Sequence, residues 1–228
     1  MIEMYDVSVV FPNGARGLHK VNLRIAKGEF VFLVGPSGAG KSTFIRLIYR
    51  EILPTSGQVY VLGRNLARLR RREVPYLRRE VGVVFQDFKL LNDRTVYDNV
   101  AFALQVTGAS PREVRKRVPA VLEMVGLAHK ATCYPDELAG GEQQRVSVAR
   151  AIANNPRIVL ADEPTGNLDP DTARGIVELL LDINRLGATV VVATHALDIV
   201  SSHRQRVVEL RDGRVVRDVE RGLYRRAL

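Results

Sequence analysis

The chain of 228 residues has a single cysteine, Cys133. No internal disulfide can form, which fits a reducing compartment, and an isolated thiol of this kind is ordinarily just a small side chain of core or surface. Long apolar runs are missing as well. The longest, such as "TVVVAT", fall far short of the ~18 residues that a membrane-spanning helix needs, so the chain is expected not to cross a bilayer. The N-terminal "MIEMYDVSVV" carries acidic residues and no basic n-region, unlike a secretory signal. Internal repeats, low-complexity segments and sustained heptads are absent, and with them repeat arrays and long coiled coils. A cytosolic protein is expected. If it works at a membrane, something else must hold it there.

What is present suits a soluble globular chain: 46% hydrophobic and 26% charged residues, with length for one core or one domain carrying a subdomain. The net charge of +9 invites nucleic acid, anionic lipid or an acidic partner. Arginine gathers in two places. One cluster is Arg64, Arg68, Arg70, Arg71, Arg72, Arg78 and Arg79; the other is a C-terminal basic tail from Arg204 to Arg226, diluted by Glu209, Asp212, Asp218 and Glu220. Either can equally be an ordinary solvated face.

Three short apolar runs, "EFVFLVG", "PRIVLADE" and "ATVVVATH", read as buried parallel strands. Between the last two, "TARGIVELLLDINRLG" places Ile176, Leu179, Leu180 and Ile183 at helical spacing and ends at Gly187. Strand, helix, strand in this order predicts a mostly parallel sheet flanked by helices. Residues 87–155 show helical stretches and no buried-strand signal, which predicts an inserted helical subdomain between two parts of an α/β core, 1–86 and 156–228. Alternation in "MIEMYDVSVVF", "VNLRI" and "GQVYVLG" predicts a small antiparallel β subdomain beside the parallel sheet.

The stretch "GPSGAGKST", comprising Gly35, Pro36, Ser37, Gly38, Ala39, Gly40, Lys41, Ser42 and Thr43, follows the first buried strand and opens a helix. Glycines let consecutive N–H groups curl toward phosphates, and the helix N-terminus adds its positive dipole. Lys41 can reach β- and γ-phosphates, and the Ser42 hydroxyl can ligate Mg²⁺. The pattern and its strand–loop–helix setting identify a P-loop, so ATP with Mg²⁺ is the expected ligand. Asp162, at the end of "IVLAD", is placed to serve the metal. Glu163 follows it and is the candidate general base for an attacking water.

With "LAGGEQQR" ahead of "IVLADEP", then "GNLD" and "ATH", the chain resembles the nucleotide-binding subunits of ATP-binding cassette (ABC) transporters over essentially its whole length. The resemblance implies a P-loop ABC ATPase fold and ATP hydrolysis. It places Gln86 in the loop that links the metal site to the helical subdomain, as a catalytic and metal-site residue. It makes Asp169 part of the nucleotide site and His195 the γ-phosphate contact. Phe11 falls at the aromatic position that stacks on adenine, usually a tyrosine, although from the sequence alone it reads first as a strand-end core residue.

The resemblance also makes Ala139, Gly140, Gly141 and Glu142 the signature that meets ATP held by a second copy of the chain, implying a homodimer with ATP sandwiched between subunits. The two glycines allow close backbone approach. Ala139 departs from the serine usual there, which removes one donor to the γ-phosphate. "FQDFKLL", "TVYDNVAFAL" and the arginine-rich tail are similar to the cell-division branch of the family; "DEPTGNLD" is shared with lipoprotein-releasing and macrolide-exporting cassettes. The implied setting is the cytoplasmic face of a bacterial membrane, beside an integral membrane partner. Phe88, Leu90 and Leu91, apolar in a loop expected to be exposed, are the candidate docking stretch and equally suit packing into the subdomain core; the basic clusters are candidates for contact with anionic lipid. Nucleic acid is not the expected partner, since cassette heads that act on DNA carry long coiled coils. A scaffold that only binds nucleotide would have no use for Glu163, Gln86 and His195.

Overall fold

The computed structural model describes residues 1–220. Alternation near the N-terminus becomes β1 (Ile2–Val10) and β2 (Arg16–Ile25), paired antiparallel with Ile2 opposite Ile25. The all-apolar β3 (Phe30–Val34) is buried throughout and feeds, through the P-loop, into α1 (Lys41–Ile48). β4 (Ser56–Val61) and the short β5 (Arg64–Asn65) complete a four-stranded sheet in the order β2-β1-β4-β5. The chain then runs through α2 (Val74–Arg79) into β6 (Val81–Val84).

Between β6 and the next strand lie α3 (Val96–Gln105), α4 (Pro111–Met124) and α5 (Gly140–Ile152). Local chemistry starts each of the first two. The Thr95 hydroxyl caps α3 by accepting from Asp98 N, and Ser110 with Glu113 forms a reciprocal capping box on α4 ahead of Pro111. Arg117 of α4 donates to the carbonyls of Ile152 and Ala153, closing the C-terminal end of α5 where backbone acceptors are otherwise orphaned. β7 (Ile158–Asp162), α6 (Pro170–Arg185) and β8 (Thr189–Thr194) follow as strand, helix, strand. α7 (Leu197–Ser202) and the hairpin β9 (Arg206–Arg211) and β10 (Arg214–Val219) end the described chain.

The second sheet has the order β10-β9-β3-β8-β7-β6, parallel except for its edge strand β10. Pleating sends alternate side chains of β3 to opposite faces. Phe30, Phe32 and Val34 join the helical side, with Val100, Val146 and Ile176, while Val31 and Leu33 join the side built by α1 and the antiparallel sheet. A fully buried ring such as Phe32 contributes roughly 1.5–3 kcal/mol by burial alone. β3, β8 and β7 are neighbours with Val34 level with Thr194 and Asp162 level with Ala193, so the loops that follow these strands open side by side at one sheet end.

The described C-terminal arginines from Arg206 to Arg217 belong to the β9–β10 hairpin. Arg206 reaches Glu29 and Asp218 at 2.8 Å each, and Arg211 pairs with Glu209. Arg221, Arg225 and Arg226 lie outside the described residues. The other cluster stands exposed at Arg64, Arg68, Arg70, Arg71, Arg72, Arg78 and Arg79, beside an exposed Tyr76 that Arg79 overlies at 5.2 Å.

Candidate active site

The P-loop closes against backbone, which is why glycine is needed at two of its positions. Gly35 has φ 151° and a Cβ there would sit 2.2 Å from the Leu210 carbonyl oxygen; Gly40 has φ 105° and its Cβ would sit 2.3 Å from that of Gly17. No side chain caps α1, so its N-terminal amides face the loop's concavity. Lys41 is 7% exposed and its Nζ donates to the carbonyls of Gly35 (2.8 Å) and Pro36 (3.2 Å). The ammonium therefore stands inside the cradle.

Asp162 and Glu163 turn out of the end of β7 to different partners. The Ser42 hydroxyl donates to Asp162 Oδ1 at 3.1 Å. Burial pushes the Asp162 carboxyl above its ordinary range; the Ser42 hydrogen bond opposes the shift and the neighbouring Glu163 charge adds to it. Such an acid is poised for a cation. Glu163 adopts φ 47°, a left-handed conformation uncommon for a side chain of its size, and its amide donates to the Ala193 carbonyl. Its Oε1 lies 3.3 Å from Lys41 Nζ, and its Oε2 accepts from the His195 amide (3.2 Å) and faces His195 Nδ1 at 2.9 Å. A carboxylate only accepts, which assigns the proton to Nδ1. The Glu163 side chain is 13% exposed and that of His195 62%.

The remaining candidates surround this centre at different distances. Phe11 is half-buried against the apolar cluster, and its ring edge and the Thr43 side chain both crowd the α-carbon of Gly17, where a Cβ would meet them at 2.9 Å and 2.7 Å. Phe11 thus borders the P-loop while serving the core. The exposed Gln86 lies beside Gly166, its amide nitrogen 3.1 Å from a Cβ built there. Among the described residues no hydrogen bond joins Gln86 to Ser42 or Asp162.

Asp169 caps α6, accepting from the amides of Asp171 and Thr172. Ala139 is the exposed N-cap of α5 with no side-chain cap; Glu142 accepts its amide at 3.0 Å and pairs with Lys130 at 2.7 Å. Gly141 packs on Thr172, which a Cβ would meet at 2.2 Å. Half-buried Leu90 packs into the helical side of the core, and Phe88 and Leu91 are also half-buried.

Three further residues were not legible as functional in the sequence. Gly17 gives Thr43 and Phe11 their room. Gln144, fully buried, donates to the Pro164 carbonyl at 2.8 Å and ties α5 to the turn after Glu163. Arg150 bonds the backbone after Gln86. Each acts through a contact distant in sequence, so no local pattern announces it.

A P-loop, an aspartate bonded to its serine and a glutamate held between Lys41 and His195, on a parallel sheet with helices inserted between β6 and β7, fit an ATP-hydrolysing cassette. Comparison with known proteins agrees. The family model described as ABC transporter matches residues 18–166, and the chain belongs to that family. It is 55% identical over 224 residues to the cell division ATP-binding protein FtsE of Bacillus subtilis (strain 168), covering 98% of each chain. It is 57% identical over 225 residues to that of Mycobacterium tuberculosis (strain ATCC 25618 / H37Rv), again covering 98% of each.

Among solved structures, a dimeric post-hydrolysis state of the cassette MJ0796 bound to ADP and phosphate is 40% identical with TM-score 0.87, covering 97% of this chain and 100% of that one. CbiO1 of Clostridium perfringens, part of the ABC transporter complex cbiONQ, is 29% identical with TM-score 0.89, covering 96% and 88%. The chain binds nucleotide and is an ATPase.

Proposed function

We propose that the chain is the ATPase subunit of a bacterial cell-division complex. It acts as a homodimer on an integral membrane partner resembling FtsX, through which ATP turnover regulates peptidoglycan hydrolysis outside the membrane. The observation that supports this reading is the meeting of Lys41, Glu163 and His195 beside the Ser42–Asp162 pair, in a chain similar to cell-division ATP-binding proteins over 98% of its length. A lipoprotein-releasing or macrolide-type exporter subunit is not favoured, because the curated relatives at 48–57% identity carry the cell-division name. Among the described residues no helix is long and apolar enough to cross a membrane. Attachment to the cytoplasmic face falls to the partner, with the exposed arginines from Arg64 to Arg79 against anionic headgroups.

Ser42 and Asp162 would hold Mg²⁺, and they fit it: a hydroxyl and a carboxyl meet at 3.1 Å, with the acid raised by burial. When bound, the ion would supply positive charge that offsets the negative charge of the phosphates. The other steps belong to the protein. Lys41 exchanges the carbonyls of Gly35 and Pro36 for phosphate, which also draws its ammonium from Glu163 Oε1. Glu163 then takes a proton from the attacking water.

With its Nδ1 proton facing Glu163, His195 would donate to a γ-phosphate once the ring leaves that carboxylate. Gln86 at the edge of the site would link the metal site to the helical part, and Ala139, Gly140, Gly141 and Glu142 would meet the nucleotide of the second copy, with Asp169 alongside.

The test is capture from the source membrane, in detergent with Mg-ATP, by the Glu163→Gln variant, which should hold ATP unhydrolysed. The expected prey is a membrane protein with few spans and one large extracytoplasmic loop. Recovery of a many-spanning permease would move the function to transport.

A further inference from the structure

We infer that Arg150 is the positioning residue that ties the signature helix to the loop after Gln86, so that contact with a second copy's nucleotide moves the membrane-facing stretch. The inference rests on the sandwich reading above. Arg150 sits in the last turn of α5, the helix that opens with Gly140 and Gly141, some 15 Å along its axis from them. Its Nη1 donates to the Lys89 carbonyl at 2.5 Å and its Nη2 to that of Phe88 at 2.8 Å.

Phe88 (φ 57°) and Lys89 (φ 52°) are successive left-handed residues, a conformation that side chains of their size hold only where the surroundings over-determine it. Two such residues form a partial turn whose carbonyls point the same way, and the guanidinium fork meets both. A lysine ammonium lacks that planar pair of donors. Burial costs this guanidinium its hydration, lowering its pKa from the usual value, and the two carbonyls take the place of water around it.

A second anchor lies farther along the same loop. The fully buried Asn99 of α3 accepts from Leu91 N at 2.8 Å and donates to the carbonyls of Leu91, Arg94 and Thr95. α3 in turn packs on α5. Residues 88–95 are therefore bolted to the helices at both ends, and Gln86, with no hydrogen bond among the described residues, is where the loop leaves the sheet. A displacement of α5 carries the half-buried Phe88, Leu90 and Leu91 with it. Arg150 is the direct connection.

Hydrogen exchange tests this in the Glu163→Gln chain, with and without Mg-ATP, on peptides covering 86–92 and 139–146. ATP is expected to slow exchange in both segments. Arg150→Ala added to that chain should leave the response at 139–146 intact and cut that at 86–92 by about tenfold, the scale of a lost bond to a charged donor. Arg150→Lys, which keeps charge and bulk and is the milder test of folding, should recover part of it.

Full ATP-linked protection of 86–92 in Arg150→Ala, or in Arg150→Lys should the alanine variant not fold, overturns the coupling and leaves the sandwich standing. Absence of the ATP response at 139–146 in the Glu163→Gln chain itself overturns the sandwich and the coupling with it.

Discussion

Replacing Ala139 with serine should do two separable things, and the structure sets the size of each. Ala139 is exposed, has extended backbone angles (φ −64°, ψ 156°) and is the N-cap of α5, with Glu142 Oε2 already accepting its amide. Half of a capping box is thus in place. A serine hydroxyl would accept the Glu142 amide and complete it, worth about 1 kcal/mol and so a rise of roughly 2–4 °C in the nucleotide-free melting temperature. The hydroxyl proton stays free, since a hydroxyl accepts and donates at once.

In the proposed sandwich that proton would face the second copy's γ-phosphate, where a bond to a charged group contributes about 1.5–3 kcal/mol. A symmetric dimer has the site twice. The gain of about 3–6 kcal/mol is roughly 10²- to 10⁴-fold in the dimerisation constant. Sedimentation equilibrium of Glu163→Gln chains with and without Ala139→Ser, in Mg-ATP, reads that change, and calorimetry without nucleotide reads the cap. A raised melting temperature with an unchanged dimer constant would refute phosphate contact at the signature. A tighter dimer with no thermal gain would refute the cap. In the chain with Glu163 intact, Ala139→Ser is expected to raise ATPase turnover, and equal rates would count against a role for the missing hydroxyl.

Glu163→Gln should lower kcat by about 10²- to 10⁴-fold, the range of general-base catalysis, with nucleotide binding measured by calorimetry retained. Gly35→Ala should abolish ADP binding and lower the melting temperature, because its Cβ would stand 2.2 Å from the Leu210 carbonyl oxygen; Gly38→Ala, where no atom lies within 4 Å, should pay only for its positive φ and keep more of both.

Asp162→Asn should abolish turnover and yet raise the melting temperature of the nucleotide-free chain. Burial raises this carboxyl, so the fold binds its proton more tightly than the unfolded chain does, and the resulting cost is absent below the unfolded pKa and complete above the raised one. The stabilisation should therefore be larger at pH about 8 than at pH about 4. An equal or reversed difference across that range would refute the desolvation account.

What the sequence made legible is what lies close together in it. Strand, glycine-rich turn and helix from Glu29 to Ile48 are contiguous, so spacing alone reports them, and the same holds for the α6 pattern with its Asp169-Pro170 start. The parallel sheet followed from runs such as Ile158–Asp162 and Thr189–Thr194, apolar on both faces because helices and a second sheet cover them. Strand order was not legible: that β8 lies between β3 and β7, and β9 beyond β3, depends on packing that no local period encodes. The C-terminal arginines misled for the same reason, since Arg206 finds Glu29 from the far end of the chain.

Within the site, residue types were readable but their state was not. Lys41 and His195, assigned to phosphate, both hold Glu163 in the nucleotide-free chain, and Gln86 stands off the Ser42–Asp162 pair. A motif names the groups a bound ligand brings together. In the structure these groups satisfy one another, because a buried ammonium or carboxylate left unpaired would cost several kcal/mol. In the proposed mechanism, Glu163 is held by the same groups that phosphate would claim.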